Sequence, residues 1–296
     1  MTTGALPAYQ ARRRRFRVKW RVVFAYVVLV VYILPVYWMV RSSFETEKFL
    51  VVTEPQLGLV QPTLHNYVSV IADAAFVRWF ANSTILSVST MIIAVATSSL
   101  AGYALARLRG RVSQVVARFF FLAYIVPSVC LIIPLFVILS DLGLQNTYTG
   151  LIITYASFAI PFGTWLLRAY FATLPPELED AALVDGCNRL TALVRIILPL
   201  AAPGIVTVAL FSFVLAWNDV LFAIVFTRTE DMFTLTAGLM PMMESVVGGN
   251  SNPVQGAFGF GDLFAATILV ALPVLIVFVL LQNWLIRGIA AGAVKG

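Results

Sequence analysis

The sequence predicts an all-α, polytopic membrane protein with six transmembrane helices, and three observations carry that prediction. Sixty per cent of the 296 residues are hydrophobic and only 11% are charged, against roughly 25% charged in a soluble domain. Uncharged apolar runs of about 20 residues, the length a bilayer crossing needs, recur along the chain. The Lys and Arg residues gather in alternate connecting segments, the pattern that sets orientation in a membrane.

The elements follow in order. Residues 1–21 form a basic segment containing "RRRRFRVKWR". Val22 to Val40 is the first apolar run, and without a small-residue cleavage site it reads as a retained anchor rather than a removed signal peptide. With the loop that follows it makes a first region, 22–81, whose latter part is expected outside the membrane. Residues 82–290 are expected to form the core, with five further spans. These are Ser83 to Ala106, Phe119 to Ser140, Tyr148 to Leu167, a stretch from near Ile196 to about Phe226 interrupted by Asn218 and Asp219, and Leu263 to Ile286. A short tail, 291–296, ends the chain.

With the N-terminus in the cytosol, all of the 20 Lys and Arg residues except Arg41, Lys48, Arg78 and Arg228 fall on the cytosolic side. The positive-inside rule therefore predicts both termini in the cytosol. The net charge of +6 is then a topology signal, with attraction to anionic membrane lipid as a second role for the basic run. That run abuts a span, so no nucleic-acid binding is expected. One cytosolic loop runs against the trend. Glu177, Glu179, Asp180 and Asp185, four of the 14 acidic residues, lie within nine positions of each other.

Several kinds of chemistry are missing. The chain has no phosphate-binding G-x-x-x-x-G-K-[ST] loop, no H-E-x-x-H and no G-x-S-x-G. His65 is its sole histidine, and Cys130 and Cys187 have neither metal nor disulfide spacing. No catalytic residue, metal site or cofactor is expected on this chain. A proton-coupled carrier needs ionisable groups inside the membrane, and Asp219 is the lone candidate. Energy for pumping would have to come from another subunit.

The acidic loop, 174–199, has the grammar of a capped helix. Pro175 and Pro176 sit where a missing N–H is harmless, and Glu177, Glu179 and Asp180 then occupy a first turn whose positive end favours carboxylates. Ala181 and Ala182 favour helix with almost no bulk. Gly186 permits the left-handed geometry that ends one. A second helix is expected from Asn188 until Pro199. On spacing alone the loop is either a docking element with a smooth alanine patch or a solvated loop whose acids cap a helix. "WNDVLF" poses a similar choice: Trp217, Asn218 and Asp219 either line a water-filled route or brace a helix end.

The string "EDAALVDGCNRLTALVRIILPLAAPG" resembles the cytoplasmic EAA signature of permease subunits in binding-protein-dependent ABC importers, E-A-A-x-x-x-G followed further on by I-x-L-P. Asp180, Ala181, Ala182, Gly186, Ile196, Leu198 and Pro199 fill it. Asp180 departs from the family's usual Glu by one methylene, and Glu179 beside it is expected to compensate. "TLHNYV", "FANS", "AGYALARL", "PFGTWLLRAYFATLPPELEDAA", "FVLAWNDVLFAIVF" and the closing "GAVKG" are similar to the carbohydrate-uptake branch, of the kind of the maltose transporter's second permease.

That resemblance implies a type I ABC importer permease fold in a bacterial inner membrane. It implies a heterodimer with a second permease, two cytosolic ATPase subunits that use ATP and Mg, and an extracytoplasmic solute-binding protein or lipoprotein. The cargo it implies is a di- or oligosaccharide such as trehalose or maltose. Glu179, Asp180, Ala181, Ala182, Asp185 and Gly186 would couple to the ATPases. Within the loop 227–262, Gly248, Gly249, Asn250 and Gly256 would touch the binding protein. A permease of the same machinery for a non-sugar solute, a glycerol phosphate, glycerophosphodiester or polyamine, is the second reading. A secondary carrier or a non-transporting membrane scaffold is the third.

Overall fold

A computed structural model of the chain describes residues 8–50, 58–108, 110–248 and 258–293, with side chains at 20–50, 58–108, 110–248 and 258–284. Among the described residues the regular structure is helical. In order, the helices are α1 (Ala8–Ser43), α2 (Glu47–Leu50), α3 (His65–Ala72), α4 (Ala74–Arg107), α5 (Arg111–Ile125), α6 (Ile132–Asp141), α7 (Tyr148–Thr173), α8 (Glu177–Val184), α9 (Arg189–Ala192), α10 (Leu198–Leu200), α11 (Ala202–Trp217), α12 (Leu221–Phe226), α13 (Leu235–Val247) and α14 (Phe260–Ala293). Four contain an unbroken stretch long and apolar enough to cross a membrane: Trp20–Ser43, Ala74–Arg107, Tyr148–Thr173 and Phe260–Trp284. The total is six if each of two bent helix pairs is one span.

Proline and polar residues make the bends. The expected span over 119–140 is broken, with α5 and the following helical stretch Ser128–Asp141 meeting at 95°. Pro127 has no N–H to donate and forces Val126 before it into an extended conformation (φ −64°, ψ 123°). The expected stretch from Ile196 to Phe226 is divided twice. An 84° bend separates Arg189–Leu200 from α11, with Pro199 and Pro203 on either side of it, and the run Asn218–Val220 separates α11 from α12. Helix α4 starts earlier than hydropathy implies, at Ala74, because the Asp73 side chain accepts from the Phe76 N–H at 2.7 Å and caps it.

The chain divides into two compact units. In the first, residues 1–70 and 251–268, a buried ion pair organises the segment after α1. Arg41 Nη2 lies 3.0 Å from Glu45 Oε2, with side chains 4% and 0% exposed, and also donates to the Gly58 carbonyl at 2.9 Å. Glu45 accepts from the N–H groups of Val60 and Gln61. Burial alone would raise its pKa, but those two N–H groups and the Arg41 charge outweigh it and hold the carboxyl below its ordinary value. Glu47 accepts from the N–H groups of Phe260 and Gly261, at the start of α14.

The second unit, residues 71–250 and 269–296, holds two apolar clusters. One contains Leu86, Leu139, Leu151, Tyr155, Ala216, Phe222 and Phe226. The other contains Leu167, Phe171, Leu193, Ile197, Ala201 and Val208. Between them α4 and α7 pack through small residues, as helices in lipid do. A Cβ on Gly163 would lie 2.5 Å from Ser98 Oγ and 2.8 Å from Val208, and one on Gly102 would lie 3.0 Å from Leu167 Cβ.

Candidate functional site

The acidic loop folds as a helix closed at both ends. Pro176 precedes α8, and Glu177, Glu179 and Asp180 occupy its first turn. At the other end Gly186 has φ +86°. Its N–H donates to Leu183 O at 3.1 Å and the Cys187 N–H to Ala182 O at 3.0 Å, the paired pattern of a left-handed helix stop. Asn188 then caps α9, accepting from the Thr191 N–H at 2.8 Å. One π-helical turn, Leu193–Ile197, carries the chain from α9 into α10.

The faces of α8 differ from the expected smooth alanine patch. Glu177, Asp180, Ala181, Val184 and Asp185 are exposed, Val184 at 87%. Ala182 is 3% exposed and packs inward, so only Ala181 presents its methyl to the outside. Glu179 also points inward, at 6% exposure. Its Oε2 lies 3.0 Å from Arg107 Nε, and its Oε1 accepts from the Tyr103 hydroxyl at 2.5 Å. This corrects the expectation that Glu179 supports Asp180 on the docking face: the carboxylate is spent on α4. The reason is helical geometry, since adjacent residues lie on different faces and Tyr103 and Arg107 of α4 meet the face that carries Glu179.

The opposite end of α4, which carries the string "FANS", grips the segment 230–238. Trp79 Nε1 donates to Glu230 O at 3.0 Å. Asn82 Nδ2 donates to the carbonyls of Asp231 and Phe233, both at 2.8 Å, while its Oδ1 accepts from Tyr148. Ser83 Oγ accepts from the Leu235 N–H at 2.7 Å. Gly238 lets α13 approach the Trp79 ring: a Cβ there would lie 2.3 Å from it. Arg78 and Asp231 add an exposed ion pair.

Between these ends lies a cavity of about 870 Å³, walled by Tyr124, Phe158, Phe162, Phe211 and Phe222. The Val126–Ser128 break lines it too. Tyr155, Thr207, Asn218 and Asp219 are among its polar groups. Asp219 Oδ2 accepts from the Tyr155 hydroxyl at 2.9 Å and from the Ala223 N–H at 3.0 Å, which uses one carboxylate oxygen to start α12. Two of the three residues expected to line a pathway therefore meet here. Trp217 does not, and the expectation is corrected: it is 1% exposed, stacks on Phe213 and donates to Val270 O at 3.0 Å. An amphipathic aromatic at the last turn of α11 finds a carbonyl partner inside the fold instead. In the loop 227–262, Gly248 ends α13, whereas Gly249, Asn250 and Gly256 lie outside the described residues.

Helices broken at proline around a cavity with polar groups at its breaks, beside a short capped helix on a connecting loop, are the parts of a multi-pass membrane permease. The chain belongs to the family of binding-protein-dependent transport system inner membrane components, matched over residues 94–291, the family that the EAA resemblance pointed to. It is 36% identical over 270 residues to the inner membrane ABC transporter permease protein YcjP of Escherichia coli K12, covering 90% of this chain and 93% of that one. It is 32% identical over 275 residues to the trehalose/maltose transport system permease protein MalG of Thermococcus litoralis, covering 92% and 95%. Its fold is shared with a chain in the crystal structure of a bacterial ABC transporter involved in the import of the acidic polysaccharide alginate. The TM-score is 0.79 at 23% identity, over 95% of this chain and 99% of that one.

Proposed function

We propose that this chain is one of two membrane subunits of an ATP-driven importer for a di- or oligosaccharide of the trehalose or maltose class, and forms half of its translocation pathway. The observation that carries the reading is the outward face of α8, where Glu177, Asp180, Ala181, Val184 and Asp185 stand free of the rest of the subunit on a helix closed at both ends. A rigid, acidic helix with Val184 as its most exposed apolar side chain suits insertion into a basic cleft of an ATPase subunit. The excess of Lys and Arg on the same side supports placing that loop, and both termini, in the cytosol. ATP and Mg are bound by the two ATPase subunits, and this chain binds no cofactor of its own.

The cavity supports the cargo class. Sugars stack their C–H faces on aromatic rings and hydrogen-bond at their edges, and a space walled by phenylalanines with Asn218, Asp219, Thr207 and Tyr155 at its margin offers both. The relatives named for trehalose, maltose and diacetylchitobiose uptake point the same way. Contact with a solute-binding protein that delivers the sugar is assigned to the segment 227–262. In operation, the ATPases close on ATP, α8 moves with its docking cleft, and the bent helices exchange inward and outward access.

The test is affinity purification of the tagged chain from its native membrane, followed by uptake of labelled trehalose and maltose into reconstituted vesicles. The expected result is co-purification of a second permease and an ATP-hydrolysing subunit, with uptake that requires ATP and is abolished by Gly186→Pro. A preparation that brings down no ATPase, or uptake that survives Gly186→Pro, overturns the coupling role. Uptake of a glycerophosphodiester or a polyamine in place of either sugar would replace the cargo class.

A further inference from the structure

Glu179 is the one acid of the α8 cluster that turns away from the docking face, and its surroundings are specific. A carboxylate and a guanidinium 8% and 13% exposed are costly to desolvate unless each satisfies the other. Here Arg107 Nε meets Glu179 Oε2 at 3.0 Å, and the same guanidinium reaches Leu174 O, just past the end of α7, through Nη1 at 3.4 Å. Tyr103, one turn back on α4, completes the carboxylate with a charge-assisted bond of 2.5 Å and sets its ring edge-on to Phe171 at 6.1 Å. One charged cluster thus ties together the ends of α4 and α7 and the coupling helix. Arg107 Nε meets the carboxylate as an ion pair without hydrogen-bond alignment, and both Nε and Nη2 are buried without a hydrogen-bond partner, so the pair is held by charge and by the Tyr103 bond.

We infer that Arg107, Tyr103 and Glu179 form a latch that positions the coupling helix on the end of α4, while contact with the ATPase falls to the outward residues Glu177, Asp180 and Asp185. The inference rests on the reading of α8 as the ATPase-docking helix. Its mechanical consequence is direct. When α8 is displaced, either the end of α4 moves with it or two buried charges separate, and the second course is the more expensive. Displacement therefore passes into α4, which spans about 50 Å at roughly 1.5 Å per residue and grips the 230–235 segment at its far end through Trp79, Asn82 and Ser83. Arg107, Tyr103 and Glu179 are positioning groups, which act through α8.

The experiment uses the complete importer, purified with its own partner subunits and reconstituted in lipid nanodiscs. Two quantities are read: the ATPase subunits retained per permease, and the stimulation of ATP hydrolysis by the cognate solute-binding protein. Glu179→Gln and Arg107→Gln are expected to retain the ATPase subunits at the unmodified ratio and to lose at least fivefold of the stimulation. Tyr103→Phe, which keeps the ring on Phe171, is expected to lose about half, and Arg107→Lys to recover part of what Arg107→Gln loses. The exchange Arg107→Glu with Glu179→Arg should restore more stimulation than either reversal alone. Asp180→Ala should instead release ATPase subunits. Full stimulation in both Glu179→Gln and Tyr103→Phe overturns the latch. So does loss of ATPase subunits from Glu179→Gln to the extent seen in Asp180→Ala, because Glu179 is then itself the contact. If the unmodified chain retains no ATPase, the proposed function fails, an outcome separate from both.

Discussion

The two ends of α4 hold their neighbours by different means. At the Trp79 end the buried part of the grip is neutral and reads backbone: Asn82 and Trp79 donate to three carbonyls, and Ser83 accepts one N–H, with the Arg78–Asp231 ion pair exposed beside it. At the Arg107 end the grip is ionic and centres on one side chain, the buried carboxylate of Glu179, with the Leu174 carbonyl as a longer second contact. A backbone-reading clamp tolerates changes in the side chains of the segment it holds, whereas a charge pair ties α8 to a single residue. On the proposed function, the first suits a segment whose surface has to match a binding protein. The second suits a helix whose displacement has to be transmitted.

The largest effect expected from breaking this comparison comes from Arg107→Ala. Removing one partner of a buried ion pair costs about 3–5 kcal/mol, concentrated on α8, so hydrogen exchange over 177–187 should rise by orders of magnitude while α7 stays protected. Protection unchanged over 177–187 would show that α8 is held by packing alone. Asn82→Ala comes next. It orphans two carbonyls and the Tyr148 hydroxyl, at about 1–3 kcal/mol for the buried groups left unsatisfied, and should expose 229–235 to limited proteolysis with no change at α8. Simultaneous loosening of both ends would show that the clamps are not independent.

A smaller loss is expected from Gly186→Ala. At φ +86° a Cβ costs about 1 kcal/mol or slightly more, while nothing lies within 4 Å to clash with it. Thermal unfolding of the purified protein should drop by a few degrees with α8 intact, and an unchanged midpoint would mean the left-handed stop is dispensable. Arg78→Ala should do least. Its pair with Asp231 is 52% and 72% exposed, a setting in which ion pairs contribute about 0–1 kcal/mol, and high salt should mask even that. A loss matching that of Asn82→Ala would promote this surface pair to a principal element of the clamp.

Much of the site was legible one residue at a time. The prolines before Glu177, the acids of its first turn and the glycine at 186 each carry a local backbone meaning, and the structure uses Gly186 in the left-handed form that meaning requires. The inward turn of Glu179 was not legible. Its partner hydroxyl lies 76 residues away in sequence, and nothing in "PPELEDAALVDG" says which face of the helix α4 will meet. Trp217 failed for a related reason. Beside Asn218 and Asp219 it looks like part of a polar constellation, yet the helix break falls just after it, which leaves its ring inside α11's packing and sends only its neighbours to the cavity.

Hydropathy and charge were enough to determine that this chain lives in a membrane, where its apolar runs lie and that a capped acidic helix connects two of them. Both signals are sums over neighbouring residues, and a bilayer responds to such sums. Tertiary structure alone decided that the runs at 119–140 and 196–226 bend rather than cross straight, and that one acid of the cluster faces inward. A single side chain's burial depends on which distant helix covers it, and a bend at proline depends on whether packing exploits the missing hydrogen bond. Neither is a property of local composition.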